Sequence, residues 1–145
     1  MTSRVLDIDL TTSSISVRSI DGETVRQYLG GSFFGTYLWL ESARLEVDPQ
    51  SAANSLVIVP GLLTGYPVIA STVGGFFGPR LRASGCDGIV LKGACPSPSY
   101  LLIDGDAGSA EIVRCSDLFG KDTFETDRAL KERHGRDLET ACIGP

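Results

Sequence analysis

Two copies of one glycine-rich loop limit the folds that are open to this chain of 145 residues. Residues 29–35 read LGGSFFG and residues 73–78 read VGGFFG, and a helix-compatible stretch follows each copy. Paired glycines leave backbone N–H groups uncovered, and the positive end of a helix dipole favours an anion. The repeat therefore suggests a phosphate-bearing ligand. The structural alternative is a tight strand-to-helix turn whose phenylalanines fill the core.

Neither loop has the sequence of a standard nucleotide-binding motif. No Gly-Lys-Ser/Thr follows the glycines, and their spacing differs from G-x-G-x-x-G. Arg80 and Arg82 follow the second loop, and arginine forms bidentate hydrogen bonds to phosphate. Solvated helix residues are the alternative interpretation of these two side chains.

Composition predicts one globular domain and excludes two classes of partner. The chain has 17 glycines and 42% apolar residues, whereas average usage predicts about ten glycines at this length. The net charge of -5 and the pI near 4.8 provide no basic surface for nucleic acid or anionic lipid. Residues 49–79 carry no charge, but prolines and glycines interrupt them, so we interpret them as protein interior and not as a membrane span.

Hydrophobic periodicity predicts short strands mixed with a few helices. The predicted strands cover residues 5–10, 15–20, 56–59, 68–72, 89–91, 100–103, 111–113 and 140–143, and the predicted helices cover residues 33–44, 79–83 and 122–134. The first two strands form a hairpin. In the last helix Asp122 and Glu125 have capping-box spacing, and Gly135 is the stop. Strands and helices do not alternate strictly, so the predicted class is α+β.

Cysteine and histidine offer little catalytic signal. Cys86, Cys95, Cys115 and Cys142 form no C-x-x-C pair, so free buried thiols are favoured over zinc or redox sites. The sole histidine, His134, lies where a cation favours the end of a helix, which argues against a catalytic triad. The N-terminus does not resemble a signal peptide, and a cytoplasmic location is expected. The mixed charges of residues 121–133 are typical of a solvated helix face.

Six stretches of the chain carry a resemblance when they are taken in order. They are SRVLDIDLTTSSISV, YLGGSFFGTYLW, PGLLTG, GGFFGPRLRASGCDGIVLKG, LFGKDTFETDRALKERHG and ACIGP. Together they resemble the N-terminal domain of the aldehyde ferredoxin oxidoreductase family. The resemblance runs through nearly the whole chain, so residues 1–145 are identified as one such domain, in an incomplete or shortened form.

The resemblance implies a fold and a cofactor. It implies two similar β-sheets related by an approximate two-fold axis, which form the base for a tungsten or molybdenum bis-pyranopterin. Members of the family oxidise aldehydes to carboxylic acids and pass electrons through a 4Fe–4S cluster to ferredoxin. The second loop of the family approaches the pterin phosphates and their Mg²⁺. Carried over by position, Gly74 and Gly75 are the matching glycines. With Thr72 and Arg80, which stand in for family residues that this sequence lacks, they form the expected cofactor-binding set, and no residue is assigned a catalytic or metal-binding role.

Three departures from the family pattern limit this comparison. Residues 66–73 replace a longer family segment, so a cofactor-contacting arginine has no counterpart, and Thr72 stands roughly where the family has asparagine. Arg80 or Arg82 would have to substitute for that arginine. Family sequences also continue beyond Pro145 into another glycine-rich pterin segment. The cluster cysteines belong to those later domains, and none of the cysteines here matches them.

Two hypotheses follow. In the first, the chain is the cofactor-base portion of an oxidoreductase, inactive alone, acting on aldehyde or oxo groups only when joined to catalytic domains or a catalytic subunit, with ferredoxin as an indirect partner. In the second, it is a stand-alone binding or assembly module that has lost the cofactor. A truncated sheet leaves an edge to be covered, so association with another chain or with itself is expected.

Overall fold

A computed structural model of the chain describes residues 2–43, 46–61, 64, 75–106 and 108–144. Six strands are present in this part of the chain: β1 Ser3–Asp9, β2 Ser14–Ile20, β3 Leu56–Ile58, β4 Gly88–Lys92, β5 Ser99–Asp104 and β6 Ser109–Arg114. The helices are α1 Gly22–Tyr28, α2 Gly31–Ser42, α3 Phe77–Ala83 and α4 Thr123–His134, with a 3-10 turn at Ser116–Leu118. The predicted α+β class is confirmed.

The strands form two sheets of different size. The larger sheet has four strands in the order β2-β1-β4-β3, and the smaller is the β5-β6 hairpin. β1 pairs antiparallel with β2, as the predicted hairpin requires, and parallel with β4, with Val5 opposite Gly88. β3 pairs antiparallel with β4 at the edge of the sheet. The two central strands are therefore distant in sequence and adjacent in space.

Each face of the larger sheet has its own apolar core. On one face Val5, Ile20 and Val90 pack against Phe34 and Leu38 of α2. The opposite face is covered by α3 and by the inner side chains of the β5-β6 hairpin; its buried residues are Leu6, Ile8, Leu81, Cys86 and Ile89. Alternating side chains thus bury both faces of the central strands.

A third cluster lies on the outer side of the hairpin. Cys115, Leu118 and Leu130 are buried there, with Tyr100 packed against them. α4 begins with the predicted capping box: the Asp122 side chain accepts from the Glu125 N–H at 2.8 Å, and the Glu125 side chain accepts from the Asp122 N–H. Gly135 follows as the C-cap. The sequence prediction for this helix is therefore confirmed.

The structure differs from the predicted secondary structure at one strand and one helix, and a second predicted strand cannot be compared with it. Residues 140–143 form no strand: Thr140 Oγ1 instead donates a hydrogen bond to Asp127 at 2.6 Å, and Ile143 is 92% exposed. Helix α1 was not predicted, because it buries no residue and so has no apolar stripe. The strand predicted at residues 68–72 lies outside the described residues.

The uncharged stretch at residues 49–79 is less buried than predicted. Within its described part only Ser55 is buried, and Leu56 is 59% exposed. The reason is that β3 is an edge strand, whose outer side has no neighbour within the described chain. In the part of the molecule described here, no helix is both long and apolar enough to cross a membrane.

Candidate functional site

The first glycine loop leads directly into α2. Gly30 and Gly31 have φ values of 76° and 60°, a left-handed region that glycine adopts without steric cost. Gly30 is the N-cap of α2, and no side chain caps the helix there. The N-terminus of this 12-residue helix, which is the positive end of its dipole, therefore begins at glycine and has no side-chain cap.

This loop rests on Pro60 and Gly61, which together with Thr64 are the described residues of a segment called the 60–64 turn below. Gly30 and Gly61 form an isolated antiparallel bridge, and the Gly31 N–H donates to the Pro60 carbonyl at 3.4 Å. A Cβ added to Gly31 would lie 3.7 Å from the Gly61 Cα. The Thr64 N–H closes the turn on the Gly61 carbonyl at 3.1 Å.

The same turn touches the second loop. A Cβ on Gly78 would lie only 2.8 Å from Thr64 Cγ2, and a Cβ on Gly61 would lie 3.2 Å from Thr64 Oγ1. A side chain at Gly78 would therefore require Thr64 to shift, and a side chain at Gly61, within the turn, would be tightly packed against the same threonine. The 60–64 turn contacts both copies of the repeated loop, which brings two segments far apart in sequence to one place.

The two phenylalanine pairs share one burial pattern. Phe33 and Phe76 are 74% and 71% exposed, whereas Phe34 is buried against the sheet and Phe77 packs on its opposite face. The sequence analysis gave a turn whose phenylalanines fill the core as the alternative to a ligand site. Phe34 and Phe77 fit that alternative, whereas Phe33 and Phe76 do not. An exposed phenylalanine beside each loop is a surface suited to contact with another group or chain.

Gly75 is the described glycine of the second pair. It is exposed, has φ +84°, and an added Cβ would meet no atom of the described residues within 4 Å. Its backbone conformation, and not crowding by the described neighbours, favours glycine. Gly74 and Thr72, the other two residues assigned to this loop, lie outside the described residues.

Arg80 and Arg82, two residues apart on α3, have different surroundings. The Arg80 side chain is exposed. Arg82 is partly buried, and its Nη1 donates a hydrogen bond to the Gly61 carbonyl at 3.2 Å. The sequence analysis placed Arg80 in the cofactor-binding set and gave Arg82 as a second candidate to replace the missing family arginine, whereas the structure ties Arg82 to the 60–64 turn.

The cysteines and the histidine lie away from the loops in different settings. All four thiols are free; Cys86 and Cys115 are buried, Cys95 is half-buried and Cys142 is exposed, so the expectation of four buried thiols was wrong for the last two. Burial raises the pKa of the Cys86 thiol, which donates to the Gly88 carbonyl at 3.1 Å. His134 Nε2 lies 2.8 Å from Tyr100 Oη at the end of α4. No described cluster of acidic, Cys or His side chains could hold a metal ion.

Sequence reasoning missed the role of Pro60, Gly61 and Thr64. The signal was present, since PGLLTG places Pro-Gly and Thr-Gly turn dipeptides five residues or less from each other. Its contacts with both loops depend on tertiary structure and are not encoded by any local pattern.

Comparison with known proteins supplies the family. The sequence matches the family model "Aldehyde ferredoxin oxidoreductase, N-terminal domain" in two parts, over residues 5–72 and 68–145. The chain belongs to the aldehyde ferredoxin oxidoreductase family. This confirms the resemblance on which the sequence analysis relied.

Individual relatives agree. The tungsten-containing aldehyde ferredoxin oxidoreductase of Pyrococcus abyssi is 33% identical over 161 residues, which cover 98% of this chain and 26% of the relative. The aliphatic sulfonate oxidoreductase, WOR-like subunit, of Pyrococcus furiosus is 32% identical and covers 90% of this chain and 24% of its own length. This member of the aldehyde ferredoxin oxidoreductase family thus spans about a quarter of the length of these relatives.

A solved structure shares the fold. The active site complex BamBC of benzoyl coenzyme A reductase, in complex with 1,5-dienoyl-CoA, superposes with a TM-score of 0.81 at 32% identity. The match covers 92% of this chain and 23% of the other. The α+β architecture described above is therefore that of an aldehyde ferredoxin oxidoreductase N-terminal domain.

The comparisons also bear on the shortened segment. The alignment with the Pyrococcus abyssi protein runs over 161 residues, although this chain has only 145, so the relative carries residues that this chain lacks. The two family-model matches overlap at residues 68–72. That overlap falls within residues 66–73, where the family pattern predicted a longer segment.

Proposed function

We propose that this chain is the cofactor-base portion of a tungsten or molybdenum bis-pyranopterin oxidoreductase, which does not turn over alone. The observation that carries the proposal is the convergence of both glycine loops on the 60–64 turn, through the Gly30–Gly61 bridge and the Thr64–Gly78 contact. The placement of both glycine loops against one turn supports a role as the base for a phosphate-bearing ligand.

The residues present fit such a ligand. Gly75 offers exposed backbone, with no described atom within 4 Å of the place where a side chain would stand, and the start of α2 is not capped by a side chain. We propose that Gly75, together with Gly74 and Thr72, would hold the phosphate end of the pterin and its Mg²⁺. The bound cofactor supplies oxygen-atom and electron transfer, whereas this chain contributes binding and orientation.

We propose that Arg80 supplies the positive charge missing from the shortened segment. Its side chain is exposed on α3, the helix that follows the second loop. A charge-assisted hydrogen bond to phosphate contributes roughly 1.5 to 3 kcal/mol. Without such a contact the shortened loop would hold its ligand less tightly than the longer loop of the family.

The proposed partners are the catalytic domains or subunit of the same enzyme, with ferredoxin accepting electrons in a cytoplasmic setting. The exposed Phe33 and Phe76 support this proposal, because large apolar side chains beside a binding loop are suited to burial in an interface. Aldehydes are the proposed substrates, by analogy with the name of the Pyrococcus abyssi relative. Association between copies of this chain is the second way to cover those side chains.

A second function is favoured by a specific observation. The segment at residues 66–73 is short and lacks the arginine that contacts the cofactor in the family. Loss of that arginine is expected of a module that no longer binds the cofactor. Such a module would act as a binding or assembly partner on the same fold.

Cofactor analysis separates the two functions. The chain is purified anaerobically, alone and co-expressed with the products of neighbouring genes, and each preparation is analysed for tungsten and molybdenum by mass spectrometry and for pterin by fluorescence. The cofactor-base proposal expects metal and pterin in at least one assembly, with a partner sequence containing C-x-x-C-x-x-x-C. Absence of tungsten, molybdenum and pterin from every assembly would contradict the cofactor-base proposal and favour the binding module.

A further inference from the structure

Arg82 makes a contact that the proposed function does not use. Its side chain is partly buried, and Nη1 donates to the Gly61 carbonyl oxygen at 3.2 Å. The two residues are 21 apart in sequence, so the bond joins α3 to the 60–64 turn. A cationic donor makes a hydrogen bond roughly twice as strong as a neutral one.

Gly61 is the residue on which both loops depend. Its backbone bridges Gly30, and its carbonyl accepts from the Thr64 N–H as well as from Arg82. Thr64 in turn packs against Gly78 in the second loop. A displacement of the Gly61 carbonyl would therefore move the contact surfaces of both loops together.

We propose that Arg82 is a positioning residue for the two glycine loops, and that it acts through the Gly61 carbonyl without contacting the ligand. The inference rests on the proposed function, because positioning has a consequence only where the loops hold a ligand. The two arginines then have different roles: the exposed Arg80 is the one proposed to supply charge to the ligand, whereas Arg82 holds the 60–64 turn that contacts both loops.

The first experiment measures amide hydrogen exchange in the full chain by NMR. Arg82→Met removes the donor, Arg82→Lys keeps one cationic donor, and Arg80→Met is the matched control on the same helix. The Gly31 and Thr64 amides are expected to exchange about tenfold faster in Arg82→Met, an effect of the size of one charge-assisted bond. Arg82→Lys is expected to recover part of the protection, and Arg80→Met to leave it within twofold of the wild type. Unchanged exchange in Arg82→Met overturns the inference, whatever the ligand result.

The second experiment titrates each protein with inorganic pyrophosphate and MgCl₂ and follows the amide resonances of Gly30, Gly31 and Gly75. Arg136→Met, on the exposed segment after α4, is the control for lost charge. Both Arg82→Met and Arg80→Met are expected to raise the Kd about tenfold, but only Arg82→Met alters exchange in the free protein. Lysine at position 82 is expected to restore part of the affinity and also serves where the methionine variant fails to fold.

The outcomes distinguish failure of the inference from failure of the proposed function. If wild type binds pyrophosphate and Arg82→Met binds it equally well, Arg82 is a structural residue and the inference is overturned, while the proposed function stands. If wild type shows no binding, the proposed function fails and takes the inference with it, even where Arg82→Met accelerates exchange. Weaker binding with faster exchange, both partly rescued by lysine, supports the inference.

Discussion

Thr64 Cγ2 lies 2.8 Å from the point that a Cβ on Gly78 would occupy. Gly78→Ala therefore forces a methyl group into an occupied space. Overpacking of this kind costs about 1–3 kcal/mol, although alanine in place of glycine within a helix returns about 1 kcal/mol. We expect a net loss of about 1 kcal/mol in the free energy of unfolding, measured by urea denaturation.

The companion variant Thr64→Ser tests the cause. It deletes Cγ2 and keeps the hydroxyl, so the double variant Thr64→Ser/Gly78→Ala should recover most of the stability lost in Gly78→Ala. Equal losses in the single and double variants would show that the clash is relieved elsewhere.

Gly75→Val is expected to separate binding from folding. Gly75 has φ +84°, and no atom of the described residues lies within 4 Å of an added Cβ, so valine imposes backbone strain of about 1–3 kcal/mol without a clash with them. Gly120→Val is the matched control, because Gly120 has φ +79° and equally open surroundings. Both variants should lose similar thermal stability, but only Gly75→Val should lower cofactor retention in the purified assembly. Equal retention in both would mean that Gly75 serves a turn alone.

Asp127 provides a pH-dependent link between α4 and the C-terminal segment. The Thr140 hydroxyl at 2.6 Å, assisted by Lys131 Nζ at 3.0 Å, holds the pKa of Asp127 below its ordinary value of 3.8. Because the folded-state pKa is lowered, the stabilisation is present above the unfolded-state pKa and is lost as pH falls through the folded-state pKa. Thr140→Val should raise the pKa of Asp127 toward 3.8, as followed by NMR titration of its carboxyl carbon.

The matched control for this link is Thr126→Val on the same helix. The stability difference between wild type and Thr140→Val should be present at neutral pH and should shrink as the pH falls below about 4. If the stability difference between wild type and Thr140→Val stayed constant down to pH 2, the ionised Asp127 carboxylate would not be its cause.

The cysteines should differ in reactivity. Cys142 is exposed and Cys95 half-buried, whereas Cys86 and Cys115 are buried and burial raises the pKa of each of their thiols. Partial desolvation also raises the pKa of the Cys142 thiol, so its advantage comes from access and not from acidity. Iodoacetamide at pH 8, read by peptide mass spectrometry, should label Cys142 and Cys95 in the folded chain and Cys86 and Cys115 only after denaturation. Early labelling of Cys86 would contradict the packing of the core beneath α3.

Sequence patterns correctly predicted the helices and strands whose formation depends on neighbouring residues in the chain. The alternation in residues 5–10 predicted a strand of the β1-β2 hairpin, and the Asp122 and Glu125 spacing predicted the start of α4. Helix α1 lacks an apolar stripe because none of its residues is buried, although Asp21 caps it by accepting from the Glu23 and Thr24 amides. The capping residue therefore indicated the start of α1, whereas the hydrophobic pattern of the helix did not.

The remaining features depend on tertiary structure. The apolar residues at 140–143 predicted a strand, but a strand needs a partner ladder, and Thr140 is bonded instead to a helix side chain. The different surroundings of Arg80 and Arg82 depend on where the 60–64 turn lies, which no spacing along α3 reveals. The repeated sequence pattern identified the loops, whereas only the structure identified the turn that contacts both of them.

The parallel pairing of β1 with β4 sets an order of events in folding. Arg4 donates its amide proton to the Asp87 carboxylate, 83 residues later, so the centre of the larger sheet closes only after nearly two thirds of the chain is available. Both glycine loops lie within the segment that this closure encloses. Closing so long a loop carries a large entropic cost in one step and slows folding. The two glycine loops are consequently assembled together and late, and a nascent chain that ends before β4 would present the β1-β2 hairpin without a finished loop pair.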